Sequence, residues 1–412
     1  MHCNKCIPYP DSHTSLELAE AFNCYFIEKV DTIRSAFTGD TRFFGNFDRN
    51  VLHTLSEFSP LSNDEIATLI RNSPTKSCIL DPLPTKVLKQ CLDGVACIIG
   101  NMVNSSLINR VFPSKFKEAV VVPLLNKMVA ELVLKNYRPV SNLSFISKLI
   151  ERAVTNQLLK HIELNDLGDI FQSAYKRYHS TETALVKVQN DLLMSMDGNN
   201  VSVLVLLDLS AAFDTVDIDI LLDRLRDCFG ITGNVLSWFK SYLTGRYQRV
   251  SINGQLSSSS LLHFGVPQGS VLGPILFSIY TSPLCQIIER HNLSYHIYAD
   301  DTQLYMSLEP NPVTCTTVVE ENLVDCICDI KNLMHDNKLK LNTDKTDIIL
   351  IGKPQHVKKL EMSALNLGGI LVPVSDEVRN LGVIFDTQLN MHNHVASLCK
   401  SSFYHLHRVS QI

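Results

Sequence analysis

Residues 201–208 read VSVLVLLD, an unbroken apolar run from Val203 to Leu207 that closes on a single carboxylate, Asp208. The run falls far short of the ~18 apolar residues of a membrane-spanning helix and reads as a strand buried inside a layered core. Such a strand needs other elements to cover it, and the chain supplies them. AVVVPLL (119–125), QRVSING (248–254), SYHIYADDTQLYMSL (294–308) and KTDIILIG (345–352) have strand character and alternate with helical segments. The pattern gives an α+β or α/β core with mostly antiparallel strands. An Asp that ends a strand is commonly the N-cap of the next helix, so Asp208 alone assigns no chemistry.

With 412 residues, 45% hydrophobic and 19% charged, the chain can bury two or three domains or subdomains. Leu18, Phe22, Tyr25, Phe26, Ile33 and Phe37 recur at helical spacing, so 14–37 opens the chain as a helix. A polar break over 38–50 follows, then Ser62 with Glu65 as a capping box. DPLPTKVLKQCL predicts a turn feeding a helix. The net charge of −5 argues against a uniformly positive surface, although 110–187 holds 12 Lys or Arg against 7 Asp or Glu. No phosphate-loop or dinucleotide-binding glycine pattern occurs.

The start, MHCNKCIPYPDSH, lacks the apolar core of a secretory leader, which predicts an intracellular protein without a membrane anchor. Twelve cysteines, mostly single in apolar contexts such as Cys91, Cys97 and Cys285, read as reduced, buried small hydrophobes. Cys3 and Cys6 form a CxxC with only His2 and His13 nearby, a weak zinc signal, and HNH at 392–394 reads as a polar helix surface.

The stretch 294–308 predicts a hairpin whose tight turn holds Ala299-Asp300 or Asp300-Asp301. A bare Asp-Asp is most often just a turn. Asp208 ending a second buried strand changes the balance, because one such Asp plus an adjacent pair is the hard-oxygen set that a two-metal phosphoryl-transfer site needs. A third stretch, HFGVPQGSVLGPILFSIYTSPL, puts Gly265, Gly269 and Gly273 where a backbone could approach a substrate, with Gln268 offering an amide.

The ordered series LVLLDLSAAFDTVD, GVPQGSVLGPILFSIY, YADD, LNTDKTDIILIG and VRNLGVIFD resembles the palm motifs of reverse transcriptases, above all those of LINE-type non-LTR retrotransposons of the CR1, L2 and Rex families. LKNYRPVSNLSFISKLIERAV and FQSAYKRYHSTETALVKVQNDLL are similar to that family's fingers motifs, and SPTKSCILDPLPTKVLKQCLD with FPSKFKEAVVVPLL resembles the segment just before its polymerase. The resemblance implies an α+β right-hand polymerase with fingers, an antiparallel palm sheet and part of a thumb. It divides the chain into a helical N-terminal extension or linker (1–106), a reverse transcriptase domain (107–386) and the start of a thumb (387–412).

It further implies that Asp208, Asp300, Asp301 and the Leu209 carbonyl hold two Mg²⁺ ions, with Mn²⁺ as the alternative. Phe213 would sit against the sugar C2′ and exclude ribonucleotides, Gln268 and Gly269 would pack on the incoming nucleotide, and Arg138 would grip its triphosphate. Lys345 would protonate the leaving pyrophosphate. In the second fingers motif Ala174-Tyr175-Lys176 replaces the usual Gly-Phe-Arg, leaving the cation to Lys176 or Arg177. NKMVAELVLKNYRP lacks a Pro-Gly turn common in the family.

The implied partners are an RNA template, a DNA primer, dNTPs and the element's own RNA, with assembly in the cytoplasm and action in the nucleus. Nothing here resembles the family's endonuclease, and the chain reads as a fragment ending inside the thumb. The competing reading is a decayed or repurposed copy that folds and binds RNA without polymerising. An RNA-dependent RNA polymerase predicts a small or polar residue at position 213, which is Phe.

Overall fold

The computed structural model describes residues 9–10, 14–37, 51–76, 78–125, 131–311, 318–360, 362–367 and 369–411. The Cys3/Cys6 pair with His2 and His13, the 38–50 break and part of the 126–139 loop lie outside the described residues. The chain forms two compact units, each built from two chain segments: 1–168 with 211–281, and 169–210 with 282–412.

The first unit is built on a five-stranded sheet. Glu118–Leu125 pairs antiparallel with Tyr137–Asn142 on one side and parallel with Arg246–Ile252 on the other, and Gln255–Leu256 and Ser260–Leu262 flank the latter. The opening helix, Ser15–Ser35, is capped by Thr14 and Glu17 in a reciprocal box. Its Leu18, Phe22 and Phe26 pack on Val121, Tyr137, Val250 and Ile252. The capping box of Ser62 with Glu65 also forms, opening Asn63–Asn72. Trp238 is fully buried, stacked on Tyr242 and edge-on to Phe112, with its indole N–H donating to Ser106.

Residues 51–61 carry little regular structure and are held by three side-chain amides. Asn165, Gln157 and Asn104 each bond both the N–H and the C=O of one residue, respectively His53, Ser59 and Leu61. Each amide satisfies a donor and an acceptor that a strand partner would otherwise take.

The second unit carries a six-stranded sheet in the order Ala364–Leu367, Ile370–Ser375, Asp347–Ile351, Val201–Leu207, Asp301–Leu308, Ser294–Tyr298. Every pairing is antiparallel except Asp347–Ile351 with Ile370–Ser375. Val201–Leu207 is central, as its apolar composition requires. Leu185, Val188 and Leu192 of the Thr181–Asp197 helix pack with Leu204, Tyr305, Ile349 and Ile351 on this sheet, and Val378 and Phe385 from the Glu377–Asn380/Val383–Asp386 hairpin join them. The last helix, His392–Val409, begins at the HNH triplet and buries no side chain.

Among the described residues no helix is long and apolar enough to cross a membrane. The described cysteines are free, and Cys285 is buried as expected. Cys91 and Cys97 are instead exposed. The inward positions of the Leu92–Ile108 helix are Ala96, Ile99, Gly100, Val103 and Leu107, so helical spacing turns Cys97 outward.

Candidate active site

The hairpin at 294–308 closes with Tyr298 opposite Asp301, which leaves Ala299 and Asp300 as a two-residue turn. Asp300 is therefore at the tip and Asp301 is the first residue of the returning strand. Ala299 takes φ +60, the only positive φ of the two turn residues. Glycine is the usual residue there, and an alanine in that region costs ~1–2 kcal/mol.

On the other side of Asp301–Leu308, the strand Val201–Leu207 pairs in a register that ends with Leu207 opposite Thr302. One further step brings Asp208 opposite Asp301. Asp347 lies opposite Leu206 across the next pair, and the same register continued brings Lys345 to Asp208. The Lys345 ammonium is 3.2 Å from Asp208 Oδ2. Asn342 donates to the same oxygen at 3.1 Å from its side chain and to the Asp208 carbonyl at 2.8 Å from its backbone. Asp208 caps no helix. It is followed by Leu209–Ser210, which pairs with Lys340–Leu341. Alternate pairs of such a ladder exchange hydrogen bonds, so the Leu209 carbonyl points away from Lys340–Leu341.

Asp300 and Asp301 both titrate above the ordinary carboxylate range. Desolvation, then the charges of Asp300 and Asp208, push the Asp301 carboxyl up to about 6, against the pull of Lys345. Asp300 is raised by desolvation first and by Asp208, with its own backbone N–H and Lys345 opposing. Among the described residues no three His, Cys, Asp or Glu side chains approach closely enough to ligate one ion. The donor chemistry nevertheless suits a hard divalent cation: three carboxylates whose repulsion a cation would relieve.

Lys176 and Gln172 also belong to this unit. The Lys176 ammonium donates to the Asp169 carbonyl, and burial lowers its pKa. Arg177 beside it is exposed, its guanidinium 4.7 Å from the centroid of the Tyr178 ring.

Arg138, Phe213, Gln268 and Gly269 are in the first unit, within one hydrogen-bonded assembly. Arg138 is exposed on the strand Tyr137–Asn142, and no ion pair holds it among the described residues. Three residues on, the Ser141 N–H donates to the Gln268 carbonyl at 2.8 Å. A Cβ at Gly269, φ +107, would lie 2.4 Å from the Ser141 carbonyl oxygen, so that close approach requires glycine. The Val266 N–H donates to the Phe213 carbonyl at 2.9 Å, and the Phe213 ring is 9% exposed and stacks on Phe277 at 4.6 Å.

Glu151 is fully buried and accepts from the Val271 and Leu272 N–H groups at 2.6 and 3.1 Å and from Ser147. It thus caps the start of the helix that follows the Gln268 loop. Burial pushes the Asp214 carboxyl up to about 7, with Lys29 opposing, and Gln268 Nε2 lies 3.5 Å from it. Sequence reasoning missed Glu151, Asp214, Gln172 and Asn342. Their partners lie 120, 54, 127 and 134 positions away, and nothing local announces such a bond.

A family model described as "Reverse transcriptase (RNA-dependent DNA polymerase)" matches residues 125–385. The "Probable RNA-directed DNA polymerase from transposon BS" of Drosophila melanogaster is 25% identical over 358 residues, 85% of this chain and 38% of that protein. The "RNA-directed DNA polymerase from mobile element jockey" of the same species is 26% identical over 393 residues, 93% of this chain and 42% of that protein. The "Probable RNA-directed DNA polymerase from transposon X-element", also of that species, is 23% identical over 410 residues, 96% of this chain. The chain spans roughly two-fifths of the length of these relatives, 38 to 43%.

Proposed function

Because the chain belongs to the reverse transcriptase (RNA-dependent DNA polymerase) family, with likeness to jockey, X-element and BS supporting the LINE type, we propose that it polymerises DNA on an RNA template. The observation that carries this reading is the register beside the acidic hairpin: Leu207 pairs with Thr302, so the ladder continued one step sets Asp208 against Asp301, with Asp300 at the adjoining tip. On this reading 107–386 is the polymerase domain with fingers and palm, 387–412 begins the thumb, and 1–106 is an extension that precedes them.

Asp208, Asp300, Asp301 and the Leu209 carbonyl are the residues that would hold divalent ions, which this family generally uses and which we assign as two Mg²⁺. Such ions supply Lewis-acid activation of a primer 3′-hydroxyl and neutralise charge on a triphosphate. The remaining roles fall to the chain. Arg138, exposed and without an ion pair among the described residues, grips phosphate oxygens. Gln268 and Gly269 form the bed of the incoming nucleotide, and Phe213 excludes a 2′-hydroxyl. Lys176 assists nucleotide binding once released from the Asp169 carbonyl, with Arg177 beside it. Lys345 carries the proton that the departing pyrophosphate takes up.

The partners are an RNA template, a DNA primer and dNTPs, with the element's own RNA the natural template. We place assembly with that RNA in the cytoplasm and synthesis in the nucleus. Primer extension with RNA template, DNA primer, dNTPs and Mg²⁺ tests the reading. Template-length product that is lost in the Asp300→Asn, Asp301→Asn double variant is expected; no product, or product undiminished in the variant, overturns it.

A further inference from the structure

We infer that Gln172 is a positioning residue that sets the direction of Asp300 by clamping the one residue before it. Its side-chain amide grips Ala299 from both sides. Oε1 accepts from the Ala299 N–H at 3.1 Å, and Nε2 donates to the Ala299 carbonyl at 3.4 Å. Oε1 also accepts from the Ala174 N–H at 2.9 Å, which fixes the amide's own orientation.

The backbone around Gln172 is locked to the same hairpin. Phe171 O accepts from the Ile297 N–H at 2.9 Å, and the Ser173 N–H donates to Ile297 O at 3.0 Å, so Gln172 bridges Ile297 in parallel. Ser173 Oγ bonds His296 Nε2 at 2.8 Å. Residues 171–173 thus add one isolated parallel bridge to Ser294–Tyr298, and Gln172, 7% exposed, reaches from it across the turn.

The turn needs such a clamp. Two-residue hairpin turns with positive φ at the first position are normally stabilised by glycine, and here that position is Ala299 at φ +60. An alanine peptide in this conformation is prone to flip, and a flip on either side of Ala299 would swing the Asp300 side chain. Gln172 fixes both flanking peptide planes, which glycine would otherwise favour by its own permissiveness. Gln172 touches no reacting atom, and its effect on rate rests on the polymerase reading.

The test uses the full chain. Gln172→Ala is expected to lower kcat of single-dNTP incorporation at least 10-fold with the dNTP KM changed less than 2-fold, because the acid is misaimed while the nucleotide bed is untouched. Adding Ala299→Gly to that variant is expected to restore at least a third of wild-type kcat, since glycine holds the turn unaided. Hydrogen exchange supplies a readout that needs no activity. The Ala299 amide is expected to exchange at least 10-fold faster in Gln172→Ala, with the Val201–Leu207 amides unchanged. Wild-type kcat in Gln172→Ala, no rescue by Ala299→Gly, or unchanged Ala299 exchange would each overturn the clamp. If the wild-type chain shows no polymerase activity, the polymerase reading fails and the exchange measurement alone decides the clamp.

Discussion

Lys345 Nζ lies 3.2 Å from Asp208 Oδ2, where the sheet register continued past Asp347–Leu206 brings the two residues together. The lysine side chain is 68% exposed and the aspartate 23%, so the pair sits beyond the ends of two interior strands, in reach of solvent. Exposed pairs of this kind contribute ~0–1 kcal/mol to folding. Lys345 therefore adds little to stability, and the proposed role of proton donor to the departing pyrophosphate is read from activity instead.

Lys345→Ala is expected to lower nucleotide incorporation by ~10²-fold, the usual scale for removing a general acid. The free energy of unfolding should stay within ~0.5 kcal/mol of the wild type. Steady-state extension and urea denaturation on the same preparation measure both. Unchanged incorporation would remove Lys345 from the mechanism and leave it a surface ion pair.

Glu151→Ala should destabilise the protein by ~2–4 kcal/mol, because it leaves the buried Leu272 N–H and the part-buried Val271 N–H unpaired. Glu151→Gln keeps an acceptor oxygen for both and should cost much less. Chemical denaturation of the two variants tells a capping role from mere bulk: equal losses would contradict it.

Asp214 gives the fold a pH dependence of known sign. Its carboxyl is held up to about 7 by burial, whereas in the unfolded chain it titrates near 4. Between those values the folded state keeps a proton that the unfolded state has lost, so stability falls as pH rises through this window and levels off above it. Asp214→Asn should remove this slope and gain stability relative to wild type at pH 8, on the order of a few kcal/mol at most. Melting curves at pH 5 and pH 8 check it; an Asn variant that gains nothing at pH 8 would contradict the assignment.

Phe213 is a buried ring stacked on Phe277, which suits a core residue and a steric wall equally well. Phe213→Val separates the two roles. A wall predicts that the preference for dNTP over rNTP falls at least 10-fold, read as the ratio of kcat/KM values for matched nucleotides. A purely packing role predicts loss of stability with the ratio intact.

Much of the second unit was legible in the sequence because its signals are local. The apolar run Val203–Leu207 required a central strand and the Asp-Asp pair required a tight turn, while in the first unit the capping box at Ser62 marked its own helix. What escaped is carried by contacts between distant residues. The parallel pairing of Glu118–Val121 with Tyr247–Val250 has no turn to reveal it. The strap at 51–61 has no periodicity, since side-chain amides and a single backbone bridge from Leu55 to Ile231 satisfy it in place of a ladder. The resemblance left the fingers cation to Lys176 or Arg177, but only the folded chain shows Lys176 engaged by the Asp169 carbonyl while Arg177 stays exposed.

The central claim is that Asp208, Asp300 and Asp301 act as one acidic centre for RNA-templated DNA synthesis. The most direct measurement is single-dNTP incorporation into a DNA primer on an RNA template, comparing wild type with Asp301→Asn at matched folded fraction. The account predicts incorporation by the wild type and a loss of at least 10³-fold in the variant. Equal rates in the two proteins, or none in either, would contradict it.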